Sequence, residues 1–458
     1  MESVTFAERI IKIMRIRDLF IENVRLFGNM REHLIFDGQK NVTAILGNNG
    51  SGKSTLLDII SVMLSSFVSV FPGMGEKQFS DNDIHIEGNR KAEYLLAEMN
   101  LVTQNGRGIG MMRSRRGVSK SPQPELKEIK SYAEYLKSEI EAGNTDVQLP
   151  VIAYYGTGRG NIQAPERKRN FQKTYSRWDS YLNTLDPATN FKRFFAWYDA
   201  MEDEERREME RRKSFDYRSP VLQAVRKAIN IFAGAGEQGK VFNNPRIETK
   251  PLRFVLDECA EDGEVVRELR LEQFSDGYKI IIAMVADIAS RMAEANPEME
   301  NPLDSPGIVL IDEIDLHLHP RWQQQILRQL TEVFKNVQFV VSTHSPIVLL
   351  GALDIVQIVR LEGQHIESCI LHDYSSYDVN QLLLSQLFGL DNVLTPATAE
   401  MMKRREVLLL KQELTGDERA ELQELEQQAD KIPIGETAAS QQLYSLINKM
   451  ANQMGIEV

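Results

Sequence analysis

Gly47-Asn48-Asn49-Gly50-Ser51-Gly52-Lys53-Ser54-Thr55 stands between the apolar run Val42-Thr43-Ala44-Ile45-Leu46 and the run Leu56-Leu57-Asp58-Ile59-Ile60. Strand, glycine-rich loop and helix follow one another in the order of a phosphate-binding loop, which assigns the chain to the α/β class. The glycines let successive backbone N–H groups turn inward around phosphate oxygens, and the start of the following helix adds positive potential. Asn48, Asn49, Gly50, Ser51, Gly52 and Thr55 supply the cradle of a nucleoside triphosphate, Lys53 reaches its β- and γ-phosphates, and Ser54 is the candidate ligand for Mg²⁺.

Three later segments decide which kind of nucleotide machine this is. Gly307-Ile308-Val309-Leu310-Ile311 reads as a buried parallel strand ending in Asp312-Glu313. It delivers two carboxylates to the carboxyl edge of a sheet, where α/β proteins hold ligands. Asp312 is the candidate to hold Mg²⁺ through its water shell, and Glu313 to orient or deprotonate the attacking water. The alternative is a strand that merely ends in solvated acids. Phe274-Ser275-Asp276-Gly277-Tyr278-Lys279 sets a hydroxyl and a glycine at the start of an apolar helical run, Ile280 to Ala286. That geometry suits an anion, although Ser-Asp-Gly also opens helices as ordinary capping chemistry. Its place ahead of the carboxylate strand favours the anion. Val337-Gln338-Phe339-Val340-Val341-Ser342 reads as another buried strand, ending in Thr343-His344-Ser345-Pro346. His344 is the candidate to touch the γ-phosphate and report its loss; the plainer alternative is a loop histidine.

At 458 residues the chain is too long for one ordinary compact domain, and its 42% hydrophobic share supplies a sizeable core. Cys259 and Cys369 are the two cysteines, without paired spacing, so neither a disulfide framework nor a zinc site is expected and a reducing cytoplasm is. The N-terminus lacks the basic-then-apolar pattern of a signal peptide, and Met14 is a candidate native start. No apolar stretch reads as a membrane span. A formal charge of −12 argues against coating nucleic acid over the whole surface. Two local clusters remain, Arg107, Arg113, Arg115, Arg116 and Lys120 in a Gly/Ser-rich stretch, and Arg159, Arg167, Lys168 and Arg169. Each meets DNA phosphates or, the favoured reading, is a solvated loop; Arg159 alternatively sits near nucleotide.

The expected organisation is a first part of the head at 1–75, an insertion at 76–148 with helices at Lys91–Leu101 and Glu125–Glu141, and a head strand and turn at 149–164. A charged helical lobe follows at 165–250, then the second part of the head at 251–369. The tail, 370–458, is expected to be all helical, at Tyr377–Phe388, Pro396–Leu414, Asp417–Ala429 and Ala438–Met454. Leu408, Leu409, Leu410, Leu414, Leu422 and Leu425 suggest an antiparallel hairpin with one apolar seam, an assembly or docking element.

Phosphate loop, Ser-x-Gly helix start, Asp-Glu strand and strand-Thr-His, in this order, resemble ATP-binding-cassette heads, in the branch of structural-maintenance, Rad50, RecF and overcoming-lysogenization proteins. The resemblance covers roughly residues 14–75 and 150–365. It implies an ABC-type ATPase head with helical insertions, ATP and Mg²⁺ as cofactors, and a head-to-head dimer or higher homo-oligomer. Ser275, Asp276 and Gly277 would act in trans on the site of a second head, and Asp315 would lie in the loop that crosses the interface. Asp276 departs from the transporter signature, as in RecF-like variants. Leu149-Pro150-Val151-Ile152-Ala153-Tyr154-Tyr155-Gly156-Thr157-Gly158-Arg159 and His317-Leu318-His319-Pro320-Arg321-Trp322-Gln323 are similar to strings in the ATPases of Septu-type anti-phage defence (the PtuA family), with the PARIS-type ATPases (the AriA family) a near alternative. That resemblance implies a separate nuclease effector, HNH-type like PtuB or a Toprim-like toxin, and a DNA or phage-protein trigger. No Toprim acidic set is evident in this chain itself. The alternatives are a RecF- or Rad50-like repair ATPase acting directly on DNA, and a scaffold that binds ATP without turnover.

Overall fold

Alternation of buried and exposed residues builds the first sheet, and unbroken burial builds the second. The computed structural model describes residues 14–118, 121–160, 175–188, 191–235, 241–249, 252–260, 262–368, 374, 377–390, 392–411 and 414–429. They fall into two compact units, Met1–Leu371 and His372–Val458.

In the first unit, β1 (Arg15–Glu22) pairs antiparallel with β2 (Glu32–Ile35) and with the later strand β6 (Tyr94–Val102), which pairs in turn with β7 (Gly108–Arg116). The register of β1 shifts between Ile16 and Asp18, and beside this irregularity the buried Gln338 side chain accepts from Ile16 N (2.7 Å) and donates to Ile16 O (3.1 Å). A glutamine of one sheet thereby satisfies backbone groups of the other. The sheet that carries the chemistry has the order β15-β14-β3-β13-β12-β8: β3 (Val42–Gly47), β8 (Val151–Tyr155), β12 (Gly307–Ile311), β13 (Val337–Ser342) and β14 (Val356–Glu362) run parallel, and β15 (His365–Ser368) closes one edge antiparallel. β8, β12 and β13 are buried at every residue, as parallel strands covered on both faces must be. The small hairpin β4 (Ile86–Glu87) and β5 (Arg90–Lys91), and the sheet of β9 (Val241–Thr249), β10 (Leu252–Cys259) and β11 (Val265–Arg270), complete the strands among the described residues.

Helix α1 (Lys53–Val68) follows the phosphate loop, α2 (Lys127–Glu141) packs on α1 and β7, and α3 (Lys192–Arg212) and α4 (Pro220–Ala235) pack on α5 (Asp276–Ala295). α5 is buried from Gly277 to Ala295 except at the half-buried Lys279. Its interior charges are paired: Arg291 Nε donates to Asp287 Oδ2 (2.7 Å), which also accepts from Tyr155 Oη on β8 (2.8 Å). α6 (Pro320–Val333) and α7 (Pro346–Leu350) follow the ends of β12 and β13.

Some expectations are corrected here. The helix expected at Lys91–Leu101 is strand β6: its Leu, Ala, Glu and Met favour a helix locally, but pairing on both sides with β1 and β7 overrides propensity. As far as it is described, the Gly/Ser-rich basic stretch is not a solvated loop but the turn and strand β7; Arg113 is buried against Glu76 (2.6 Å) and Arg115 pairs with Asp81 (2.9 Å). The lobe expected to be helical over 165–250 ends in strand β9. Lys120, Arg167, Lys168, Arg169, Cys369 and the helix expected at Ala438–Met454 lie outside the described residues.

The second unit holds α8 (Val379–Leu384), α9 (Pro396–Leu409) and α10 (Gly416–Ala429). α8 is shorter than expected because Ser385 is extended, and α9 ends at Leu409. α9 and α10 pack together, tied by Arg404–Glu421 (2.8 Å) and Lys411–Glu418 (2.6 Å). The seam is narrower than the leucine pattern suggested. Leu408 is buried and Leu422 and Leu425 are half-buried, whereas Leu409 and Leu410 face solvent, since neighbours in sequence cannot share one helical stripe.

Candidate functional site

β3 carries the phosphate loop to the carboxyl edge of the parallel sheet. Gly47, Gly50 and Gly52 have φ of 152°, 80° and 102°. A Cβ on Gly47 would stand 2.5 Å from Ser51 Oγ and 2.9 Å from the Leu361 carbonyl oxygen, so the loop closes only around glycine. The Ser51 hydroxyl is buried and makes no hydrogen bond among the described residues. Asn48, Asn49 and Gly50 are exposed at the loop's rim, and Thr55 is buried in the first turn of α1. Lys53 Nζ donates to the Gly47 carbonyl (2.9 Å) and the Asn48 carbonyl (3.0 Å). Burial pushes the Lys53 ammonium below its ordinary range, against the pull of Asp312, Glu313 and Asp315.

Those three carboxylates come from the segment after β12. Asp312 is buried; its N–H donates to the Tyr155 carbonyl (2.8 Å), and its Oδ1 accepts from Ser342 Oγ (2.5 Å). The same Ser342 hydroxyl accepts from Glu313 N (2.7 Å). Glu313 has a φ of 47°, which non-glycine residues seldom adopt, and its side chain is half-buried. Asp315 Oδ1 accepts from Thr343 Oγ1 (2.5 Å) and from His344 N (3.4 Å). Gln323 on α6 closes the set, donating to the Leu318 carbonyl (3.0 Å) and accepting from Ser345 Oγ (2.6 Å). The ends of β12 and β13 are thus one hydrogen-bonded unit, and His344 stands exposed on it.

This arrangement fits a nucleoside triphosphate with Mg²⁺. An orphan hydroxyl, a cradle that admits only glycine and a turned-in ammonium await phosphate oxygens, and the exposed Ser54 hydroxyl and the Asp312 carboxylate are the hard oxygen donors that would hold the ion. When bound, Mg²⁺ neutralises phosphate charge.

The structure brings Lys53 to the same charged neighbourhood as Asp312, Glu313 and Asp315. It does not join Ser275 or Asp276 to that neighbourhood within the chain. Ser275 is exposed, has the extended backbone of a helix cap and makes no side-chain capping bond. Asp276 is exposed and pairs with Lys279 (2.7 Å). Gly277 has an internal reason to be glycine: a Cβ there would lie 2.1 Å from the His317 carbonyl oxygen. Residues the sequence reading passed over are Ser342, Thr343 and Gln323, whose only signal was polarity at the end of a strand and the start of a helix. Arg159, read there either as part of a basic cluster or as a neighbour of the nucleotide, is buried and donates to the backbone carbonyls of Asp312 and Glu313.

Residues 42–350 match the family model described as "AAA domain, putative AbiEii toxin, Type IV TA system". The chain is 27% identical to the "Retron Vc95 probable ATPase" of Vibrio cholerae serotype O1 biovar El Tor, over 73% of this chain and 71% of that protein. It is 30% identical to the "Retron Ec83 probable ATPase" of Escherichia coli, over 73% of this chain and 69% of that protein. To the "Septu protein PtuA" of Bacillus mycoides (strain KBAB4) it is 26% identical over 94% of this chain and 53% of that longer protein. Among solved structures, the SMC head domain from Thermotoga maritima is 20% identical, covering 78% of this chain and all of that one with a TM-score of 0.41. With a phosphate loop, a paired-carboxylate strand and the family match running from Val42 to Leu350, the chain belongs to the AAA-domain ATPase family, with similarity to the retron probable ATPases and to the Septu protein PtuA.

Proposed function

We propose that this ATPase is a Mg²⁺-dependent switch whose nucleotide state controls a separate nuclease effector in anti-phage defence, in the cytoplasm. The observation that carries the reading is the convergence of Lys53 with Asp312, Glu313 and Asp315 at one sheet edge. Lys53 and the loop amides of residues 48–55 bind ATP, Ser54 and Asp312 hold the ion, Glu313 orients the attacking water and His344 reports the γ-phosphate. Ser275, exposed and free of any capping bond, acts with Asp276 and Gly277 on the site of a second copy, and Asp315 braces the interface loop. The exposed Val407 and Leu409 on α9, with Leu410 just after it, suit the tail to assembly or to docking the effector, an HNH-type protein like PtuB or a Toprim-like toxin.

Nucleotide binding and turnover of two variants test the chemistry. Lys53→Ala loses ATP binding, whereas Glu313→Gln keeps it and hydrolyses about a hundredfold or more slowly. Equal loss of binding in both variants removes Glu313 from its role. Mixing Ser275→Arg chains with Lys53→Ala chains rebuilds one composite site if completion is in trans, and silence in every mixture refutes it. The mass of the complex purified from its native operon identifies the effector; turnover stimulated by DNA alone points to direct DNA repair instead.

A further inference from the structure

The turn Gly156-Thr157-Gly158-Arg159 leaves the carboxyl end of β8 and sends the Arg159 side chain beneath the end of β12. Arg159 is 2% exposed. Its Nη1 donates to the Gly156 carbonyl (3.0 Å) and the Asp312 carbonyl (2.5 Å), and its Nη2 to the Glu313 carbonyl (2.6 Å). No carboxylate takes the guanidinium among the described residues, although Asp312, Asp315 and Glu313 all act on its charge. A buried arginine spent on backbone carbonyls is costly unless those carbonyls need holding.

The two peptide planes that flank the Glu313 Cα are each held at both ends. In the first, Asp312 O accepts from Arg159 and Glu313 N donates to Ser342 Oγ (2.7 Å). In the second, Glu313 O accepts from Arg159 and from Leu316 N (2.9 Å), while Ile314 N donates to the Ser342 carbonyl (3.0 Å). Fixing both planes fixes φ and ψ of Glu313 in its left-handed conformation, and with them the direction of its Cα–Cβ bond. Asp312 O has no other hydrogen-bond donor among the described residues, so the first plane depends on Arg159.

We propose that Arg159 is a positioning residue for ATP hydrolysis: its guanidinium clamps the Asp312 and Glu313 carbonyls, holds Glu313 in the backbone conformation that aims its carboxylate at the attacking water, and counters the charge of the neighbouring carboxylates. This rests on the reading of Glu313 as the water-orienting group. Lysine cannot replace it, because an ammonium lacks the planar fork that spans two carbonyls.

The test measures kcat, ATP affinity by fluorescent-nucleotide titration and thermal melting for Arg159→Ala, Arg159→Lys and Glu313→Gln in the full-length chain. The expected result is a fall in kcat of about 10–100-fold in both Arg159 variants with ATP affinity unchanged, as for groups that orient functional ligands. Added guanidinium ion restores part of the kcat of Arg159→Ala and none of Arg159→Lys, whose side chain fills the space. Should Arg159→Ala fail to fold, Arg159→Lys carries the kcat comparison. Unchanged kcat in a folded Arg159 variant beside a slow Glu313→Gln overturns the proposal and leaves the site reading intact. Loss of ATP affinity in step with kcat, or no guanidinium rescue of a folded Arg159→Ala, overturns it as well. Normal turnover in Glu313→Gln is the separate failure of the site reading.

Discussion

Replacing Gly277 with alanine sets two effects of opposite sign against each other. Gly277 lies in the first turn of the 20-residue helix α5, where alanine gains up to about 1 kcal/mol over glycine through helix propensity and a less flexible unfolded chain. Against that, the new Cβ would stand 2.1 Å from the His317 carbonyl oxygen, 2.8 Å from its carbonyl carbon and 3.3 Å from Leu318 Cδ2. The two nearest atoms are backbone and cannot swing aside. His317 already holds a φ of 64°, and Leu318 N is bonded to the Asp315 carbonyl (3.0 Å), so the loop moves only as a unit. α5 cannot retreat easily either, because Tyr278 packs edge-on against Trp322 with ring centroids 5.3 Å apart. Overpacking of this kind costs about 1–3 kcal/mol. The clash outweighs the propensity gain, and Gly277→Ala is expected to be destabilised by about 1–2 kcal/mol net. Urea denaturation followed by fluorescence measures it, with Gly75→Ala as a control at a position where a Cβ meets nothing within 4 Å. ATP turnover falls with it, since the displaced loop carries Asp315. A midpoint for Gly277→Ala equal to or above wild type refutes the reasoning.

Ser342→Ala removes at once the donor to Asp312 Oδ1 and the acceptor of Glu313 N, leaving one buried and one partly buried polar group unsatisfied. A loss of about 1–3 kcal/mol with slower hydrolysis is expected, and a variant with normal stability and kcat argues against the network. Glu202 supplies the pH dependence: burial pushes its carboxyl above the ordinary range despite bonds from Ile247 N (3.0 Å) and Arg226 (3.3 Å). A raised folded-state value means that its contribution to stability is fully present below the unfolded pKa and is lost as pH rises through the folded one. Glu202→Gln, which cannot ionise, flattens that part of the urea-midpoint profile; an unaltered profile contradicts the assignment.

The α/β class and most of the candidate site were legible in the sequence because they rest on contiguous strings. A phosphate loop needs its glycines, lysine and serine in one local run, and the strand before Asp312-Glu313 announces itself by uninterrupted apolar residues. The helix expected at Lys91–Leu101 fails for the opposite reason: Leu, Ala, Glu and Met carry helical propensity, and only pairing with β1 and β7, remote or later in sequence, makes them a strand. Arg113 looked like a loop cation until packing brought Ser66 and Glu76 to it.

What the sequence determined by itself was therefore the kind of chemistry, through residue types at fixed local spacing. What the tertiary structure decided was who holds whom. Gly277 reads as a signature glycine in the string Ser275-Asp276-Gly277, but its need for a missing side chain comes from the His317 carbonyl. Arg159 reads as one basic residue among several, yet the sheet places β8 beside β12 and so lays its guanidinium on the Asp312 and Glu313 carbonyls. Such contacts join residues far apart in the chain, and their energies depend on distances of a few ångströms that no local pattern encodes.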